Sequence, residues 1–179
     1  MAMEGDGTGW QGAESNIQKQ LSALAAAWRI EDHGIGLYTA MSERVRDKEG
    51  KMILKSLAQD EAQHRAWLEK EIDRIFPGRR ARDIEPEPAY GITPSKVFTL
   101  PEEMTPEDEI AGLEAAIEVE KRSVRLYEDV AAAAEDQELK GLMLRLARWE
   151  RSHQRILEDN LHYLRRGGSW YGYTPILDG

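Results

Sequence analysis

Apolar residues, with a few special ones among them, recur at alternating spacings of three and four along most of this chain, as they do in helices with one buried face. The first stripe reads Ile17, Leu21, Leu24, Trp28, Glu31, Ile35, Tyr38 and Val45. Ser15 followed by Gln18 resembles a capping box, which predicts a helix start there and leaves residues 1–14, rich in Gly and acidic side chains, as a flexible segment. Asp47 is placed to cap a second helix whose inward face is Leu54, Leu57, Glu61, His64, Leu68, Ile72 and Ile75. Pro77 and Gly78 stop it. Thr105-Pro106-Glu107-Asp108 forms a strong start for a third helix, with Pro in its first position. That helix presents Ile110, Leu113, Ile117, Glu120, Val124, Tyr127 and Ala134. A fourth, behind Asp136, presents Leu139, Leu142, Leu146, Glu150, His153, Leu157, Leu161 and Leu164. Gly167 and Gly168 end it, and residues 167–179 form a tail with Trp170, Tyr171 and Tyr173, able to dock on the helices or on a partner subunit.

Six of the seven prolines fall between Pro77 and Pro106, so residues 77–105 read as a long extended connection. So long a linker is unusual in a compact domain. It has a use if the third helix runs parallel to the second, because the chain must then return along the whole bundle. A helix of this size is roughly 42 Å long, and the linker can reach further than that. The expected fold is all-α: a ferritin-like four-helix bundle over residues 15–166, made of two antiparallel helical hairpins joined by one crossover.

Shifting the chain by 89 residues superimposes it on itself without a gap. Leu24 falls on Leu113, Glu31 on Glu120, Tyr38 on Tyr127, Asp47 on Asp136, Glu61 on Glu150 and His64 on His153. Two copies of one hairpin related by a pseudo-twofold axis explain this most simply.

The repeat also singles out candidate chemistry. Each hairpin offers one inward Glu from its first helix (Glu31, Glu120) and a Glu-x-x-His pair from its second (Glu61/His64, Glu150/His153). In an antiparallel hairpin, the midpoint of two level residues lies at the turn. The midpoints here fall near Asp47 and Asp136, so four carboxylates and two imidazoles should meet in one layer. Burying such carboxylates without partners is very costly, and two divalent ions would neutralise all four. An isolated Glu-x-x-His is ordinarily a solvated surface pattern and arises beside a given His roughly one time in eight by chance. Two copies in core register, each with a further Glu, form a ligand set for two iron ions, with manganese suited to the same donors.

Tyr38 and Tyr127 lie two turns beyond Glu31 and Glu120 on the same faces, where a phenol can bond a ligand carboxylate or serve as a redox group. Gly34 and Ser123 share those faces and either leave room for an oxidant or allow close helix packing. Trp28, Trp67 and Trp149 read as core or hairpin-edge residues, and His33 and His162 as surface residues.

Composition narrows the function. The 179 residues have a formal charge of −9, which disfavours a nucleic-acid partner. With no cysteine, disulfides, iron–sulfur clusters and zinc ribbons are excluded. No apolar run approaches the roughly 20 residues needed to span a bilayer, and no signal-peptide pattern opens the chain. The expectation is a cytoplasmic protein with no membrane partner.

The segments around Ile30-Glu31 to Tyr38, Leu57-Ala58 to Glu61 and His64, and their copies around Glu120 to Tyr127 and Glu150 to His153, resemble the ferritin-like domain of rubrerythrins. The resemblance covers about residues 15 to 165. It implies a non-haem di-iron oxidoreductase that reacts with hydrogen peroxide or oxygen and assembles as a homodimer. Two departures stand out. Cysteines for a rubredoxin module are missing, so electrons are expected from a separate donor protein. The additional glutamate that rubrerythrins carry one turn after the third-helix Glu is replaced by Ser123. Alternatives are a ferroxidase for iron storage of bacterioferritin type and a metal-free interaction bundle.

Overall fold

The computed structural model describes residues 8–87 and 101–171, with side chains from residue 17 onward. Four helices carry the fold: α1 (Thr8–Arg44), α2 (Lys48–Ile75), α3 (Pro106–Ala133) and α4 (Gln137–Leu164). A single 3-10 turn, Ala81–Asp83, follows α2, and no strand occurs among the described residues. The ends of the hairpins obey the sequence repeat. Arg44 and Ala133 end the first helices 89 positions apart, as Lys48 and Gln137 begin the second, and Ile75 and Leu164 end them.

The caps are those expected from the sequence. The Asp47 carboxylate accepts from the backbone N–H groups of Glu49 and Gly50, and that of Asp136 from Leu139. Thr105 and Asp108 form a reciprocal capping box with Pro106 in the first helical turn. At the far end of α4, Gly167 adopts φ +74°. Its N–H donates to the Leu164 carbonyl and that of Gly168 to Tyr163, closing the helix in a Schellman motif.

The start of α1 differs from expectation. The helix begins at Thr8, so Ser15 lies inside it, and the flexible segment expected over residues 1–14 is helical from residue 8. Once a helix is nucleated, each further turn is cheap, and an interior Gly costs only about 1 kcal/mol. Residues 1–7, most of the linker's middle (88–100) and the tail beyond Tyr171 lie outside the described residues. Ile17, expected on the buried stripe, is half exposed.

α1 pairs with α2 and α3 with α4, and the two hairpins meet chiefly through α1 and α3. Both ends of the linker are tied down. Near its start, Arg29 Nη2 donates to the Ile84 carbonyl at 3.0 Å, and the Ser22 hydroxyl accepts from Glu87 N–H at 2.7 Å. At its end, Glu103 pairs with Arg46 in the α1–α2 loop. The connection thus begins beside the lower half of α1 and finishes at the opposite end of the bundle. α2 and α3 run parallel, and Arg74 near the end of α2 meets Asp136 in the α3–α4 loop at 2.8 Å. The covering linker also explains Ala25, Ala26 and Ala27, which are wholly buried. Only small side chains fit where α1 has neighbours on every side.

Trp170 of the tail docks on the bundle. It is buried, donates through Nε1 to Glu109 at 2.7 Å, and lies over Gly50 so closely that a Cβ there would sit 2.7 Å from its ring. The apolar core falls into two clusters. One holds Leu24, Leu68, Ile72, Leu139, Met143 and Leu146 at the lower end. The other holds Met41, Leu54, Leu57, Leu113, Leu157 and Trp170 at the upper end. A layer of buried polar side chains separates them.

Candidate metal centre

That layer consists of Glu31, Glu61, His64, Glu120, Glu150 and His153, each at most 4% exposed. All six residues predicted as metal ligands are therefore brought together at one depth. They form two overlapping groups, Glu31/Glu61/His64/Glu150 and Glu61/Glu120/Glu150/His153, whose ligand atoms lie within 4.8 Å of one another. Glu61 and Glu150 belong to both groups and would be shared by two bound ions, while Glu31 and Glu120 each belong to one. Each group draws on both hairpins.

The histidines point Nδ1 inward. His64 Nδ1 lies 2.9 Å from Glu150 Oε1 and 3.5 Å from both Glu31 Oε2 and Glu61 Oε2. His153 Nδ1 lies 3.1 Å from Glu61 Oε1 and 3.3 Å from Glu150 Oε2. Yet Glu31 Oε2, Glu61 Oε1, Glu150 Oε1 and both Nδ1 atoms are buried without a hydrogen-bond partner. Buried polar atoms are rarely left unmatched, and such convergent orphans with carboxylate and imidazole chemistry fit a pair of divalent cations.

Without cations, burial and mutual closeness shift the proton affinity of each group in the layer. Burial, and then the carboxylates of Glu61 and Glu150, push Glu31 far above the usual carboxylate range. Burial, and then Glu150 and Glu61, do the same to Glu120. Burial works against charge on His64, but the Glu150 and Glu61 carboxylates outweigh it and raise the imidazole to about 9. His153 is likewise raised, burial being overcome by Asp60, Glu150 and Glu61. Glu61 and Glu150 are held below their ordinary value: burial opposes their charge, but the imidazoles and carboxyl groups beside them outweigh it.

The tyrosines are bonded to ligand carboxylates, but across the molecule. Tyr38 donates to Glu120 Oε1 and Tyr127 to Glu31 Oε1, so each phenol serves the opposite hairpin's glutamate. Both rings are fully buried. Burial and the neighbouring carboxylates, Glu120 first, push the Tyr38 phenol well above its ordinary value, so it stays a donor.

Gly34 fits against Glu61, whose Cγ would be 3.1 Å from a Cβ at that position. This is the close packing that a small residue at that position allows. Ser123 is buried and its hydroxyl donates to the Val119 carbonyl at 3.1 Å. His33 and His162 are exposed, as expected. Trp67 and Trp149, read as core or edge residues, are half-buried and lie against His64 with ring centroids 5.5 and 5.8 Å away. Sequence reasoning missed Asp60, whose Oδ2 lies 3.3 Å from His153 Nε2. Its place directly before Glu61 on α2 was a usable signal, but its repeat partner is Trp149, so the internal repeat hid it.

A ferritin-like helical bundle with four buried glutamates and two buried histidines in a shared layer is the architecture of carboxylate-bridged dimetal proteins. The chain belongs to the rubrerythrin family, whose model matches residues 22–161. Its fold is similar to that of a hypothetical protein from Pyrococcus furiosus, with a TM-score of 0.73 and 22% identity over 84% of this chain and 93% of that one. No curated protein gives a significant match. No helix among the described residues is long and apolar enough to cross a membrane.

Proposed function

We propose that this protein is a non-haem di-iron oxidoreductase of rubrerythrin type, reducing hydrogen peroxide or oxygen with electrons from a separate donor protein. The observation that carries the reading is the convergence of six ligands, two of them shared, in a layer whose inward donor atoms have no partner within the protein. Two bound ferrous ions would supply the two electrons that take peroxide to water. The protein's own part is to fix the donors. Tyr38 and Tyr127 orient the terminal carboxylates of Glu120 and Glu31, and Asp60 orients His153. The apolar clusters on either side keep bulk water from the layer. The absence of cysteine leaves no ligands for a rubredoxin-type iron in these residues, which supports an external reductant, and a homodimer in the cytoplasm is part of the proposal.

Stopped-flow mixing of anaerobically iron-loaded, reduced protein with peroxide tests it. The ferrous site should oxidise much faster than free ferrous ion; oxidation at the free-ion rate would remove the proposal. Anomalous scattering at the iron and manganese edges identifies the metal.

One observation favours a second reading, iron oxidation for storage. Ser123 supplies no carboxylate where rubrerythrins have their additional ligand, and its hydroxyl is committed to Val119. The remaining set is similar to that of bacterioferritins. Solution mass separates the two, since a storage cage is a 24-mer.

A further inference from the structure

The six ligands obey the pseudo-twofold repeat, but the groups behind the two histidines do not. His153 presents Nδ1 to the ligand layer and has the Asp60 carboxylate 3.3 Å from its Nε2. An acceptor there takes the Nε2 proton, leaves the lone pair on Nδ1 and makes the imidazole a stronger donor. The position equivalent to Asp60 in the other hairpin is Trp149. His64 also presents Nδ1 to the layer, and among the described residues all its carboxylate contacts are made through that atom. Two indoles pack against its ring. Trp67 lies tilted at 5.5 Å and Trp149 edge-on at 5.8 Å. An indole N–H is a donor only and cannot accept the imidazole proton. Glu61 and Glu150 are common to both positions, the terminal glutamates each receive one phenol, and of the differing pair Gly34 and Ser123 the first has no side chain and the second commits its hydroxyl to the Val119 carbonyl.

We infer that the two metal positions are unequal by construction. The one held by Glu120 and His153, with Asp60 behind the imidazole, binds its ion more tightly and fills first. The one held by Glu31 and His64 fills second and exchanges more readily. Asp60 is thus a positioning residue for one ion of the pair. This rests on the dimetal reading above.

The test titrates the metal-free protein with Mn(II) under anaerobic conditions, following free Mn(II) by electron paramagnetic resonance. Crystals of protein loaded with one equivalent are then used to locate the ion by anomalous scattering. The expected result is two ions per chain bound in two resolved steps, with the one-equivalent peak beside His153. Asp60→Asn keeps the shape of a half-buried side chain but is a poorer acceptor. It should weaken the first step by about 10- to 100-fold and spare the second. Trp149→Asp, which gives His64 an acceptor, should tighten the second step. Two ions bound with equal affinity, a one-equivalent peak beside His64 or divided equally, or an Asp60→Asn variant that weakens both steps alike would overturn the inference while leaving the dimetal reading intact. Failure of the folded wild-type protein to bind two ions would instead remove that reading.

Discussion

Proton and metal compete for the same buried atoms. In the metal-free protein burial and mutual closeness favour protonation of Glu31, Glu120, His64 and His153 and ionisation of Glu61 and Glu150. Divalent ions compete with those protons, so loading should release protons, measurable by calorimetry in buffers of different ionisation enthalpy. The linkage also sets how the metal-free fold responds to pH. His64 is raised from 6.5 to about 9, so its stabilising contribution is complete below pH 6.5 and lost as pH rises through 9. The raised acids Glu31 and Glu120 have the same sign, fading as pH climbs above 4.5. Glu150 has the opposite sign, its contribution being lost as pH falls below 4.5. Metal-free protein should therefore show a Tm that drops between pH 6.5 and 9, read by circular dichroism. Removing a phenol acts on the same layer. Tyr38→Phe or Tyr127→Phe deprives a buried carboxyl of its donor and should lower stability by about 1–3 kcal/mol in denaturant titrations.

At the scale of elements, the helix boundaries were legible where a capping residue meets a periodic stripe. Asp47, Thr105 and Asp136 each form the predicted cap, because a side-chain oxygen at that position satisfies otherwise orphaned N–H groups. Asp136 does more than cap, since it also meets Arg74 of α2 at 2.8 Å. Asp136→Ala should cost about 1 kcal/mol, the usual value of a cap, with the exposed ion pair adding little. The start of α1 was not legible, because the glycines there read as breakers while an existing helix extends through them at small cost. Docking of the tail was left open by the sequence and depends on a contact distant in the chain. Only Gly50 leaves room for the Trp170 ring. Gly50→Ala should expel that ring, detectable as a red shift in tryptophan emission against a Trp170→Phe control.

Across the whole molecule, the candidate site was more legible than its surroundings. An internal repeat and the level of each residue relative to its turn were enough to bring six ligands to one depth. The partners of those ligands were harder to foresee. Tyr38 reaches Glu120, not Glu31, because the axis sets each phenol beside the other hairpin's carboxylate, and spacing within one helix cannot show that. Asp60 broke the repeat and was missed for that reason. Since each ligand group combines both hairpins, bound ions should act as cross-braces. Chelation should lower Tm by several degrees, and excess Mn(II) or Fe(II) should restore it.

The shared glutamates also impose an order of events on a newly made chain. The first hairpin carries Glu31, Glu61 and His64, but the fourth member of that group, Glu150, is contributed by α4. A half-synthesised protein would thus offer a cation three donors with no lid, and the crossover must be laid down before the remainder arrives. Tight metal binding would then have to await α4, so a product truncated before it would lack a complete ligand group.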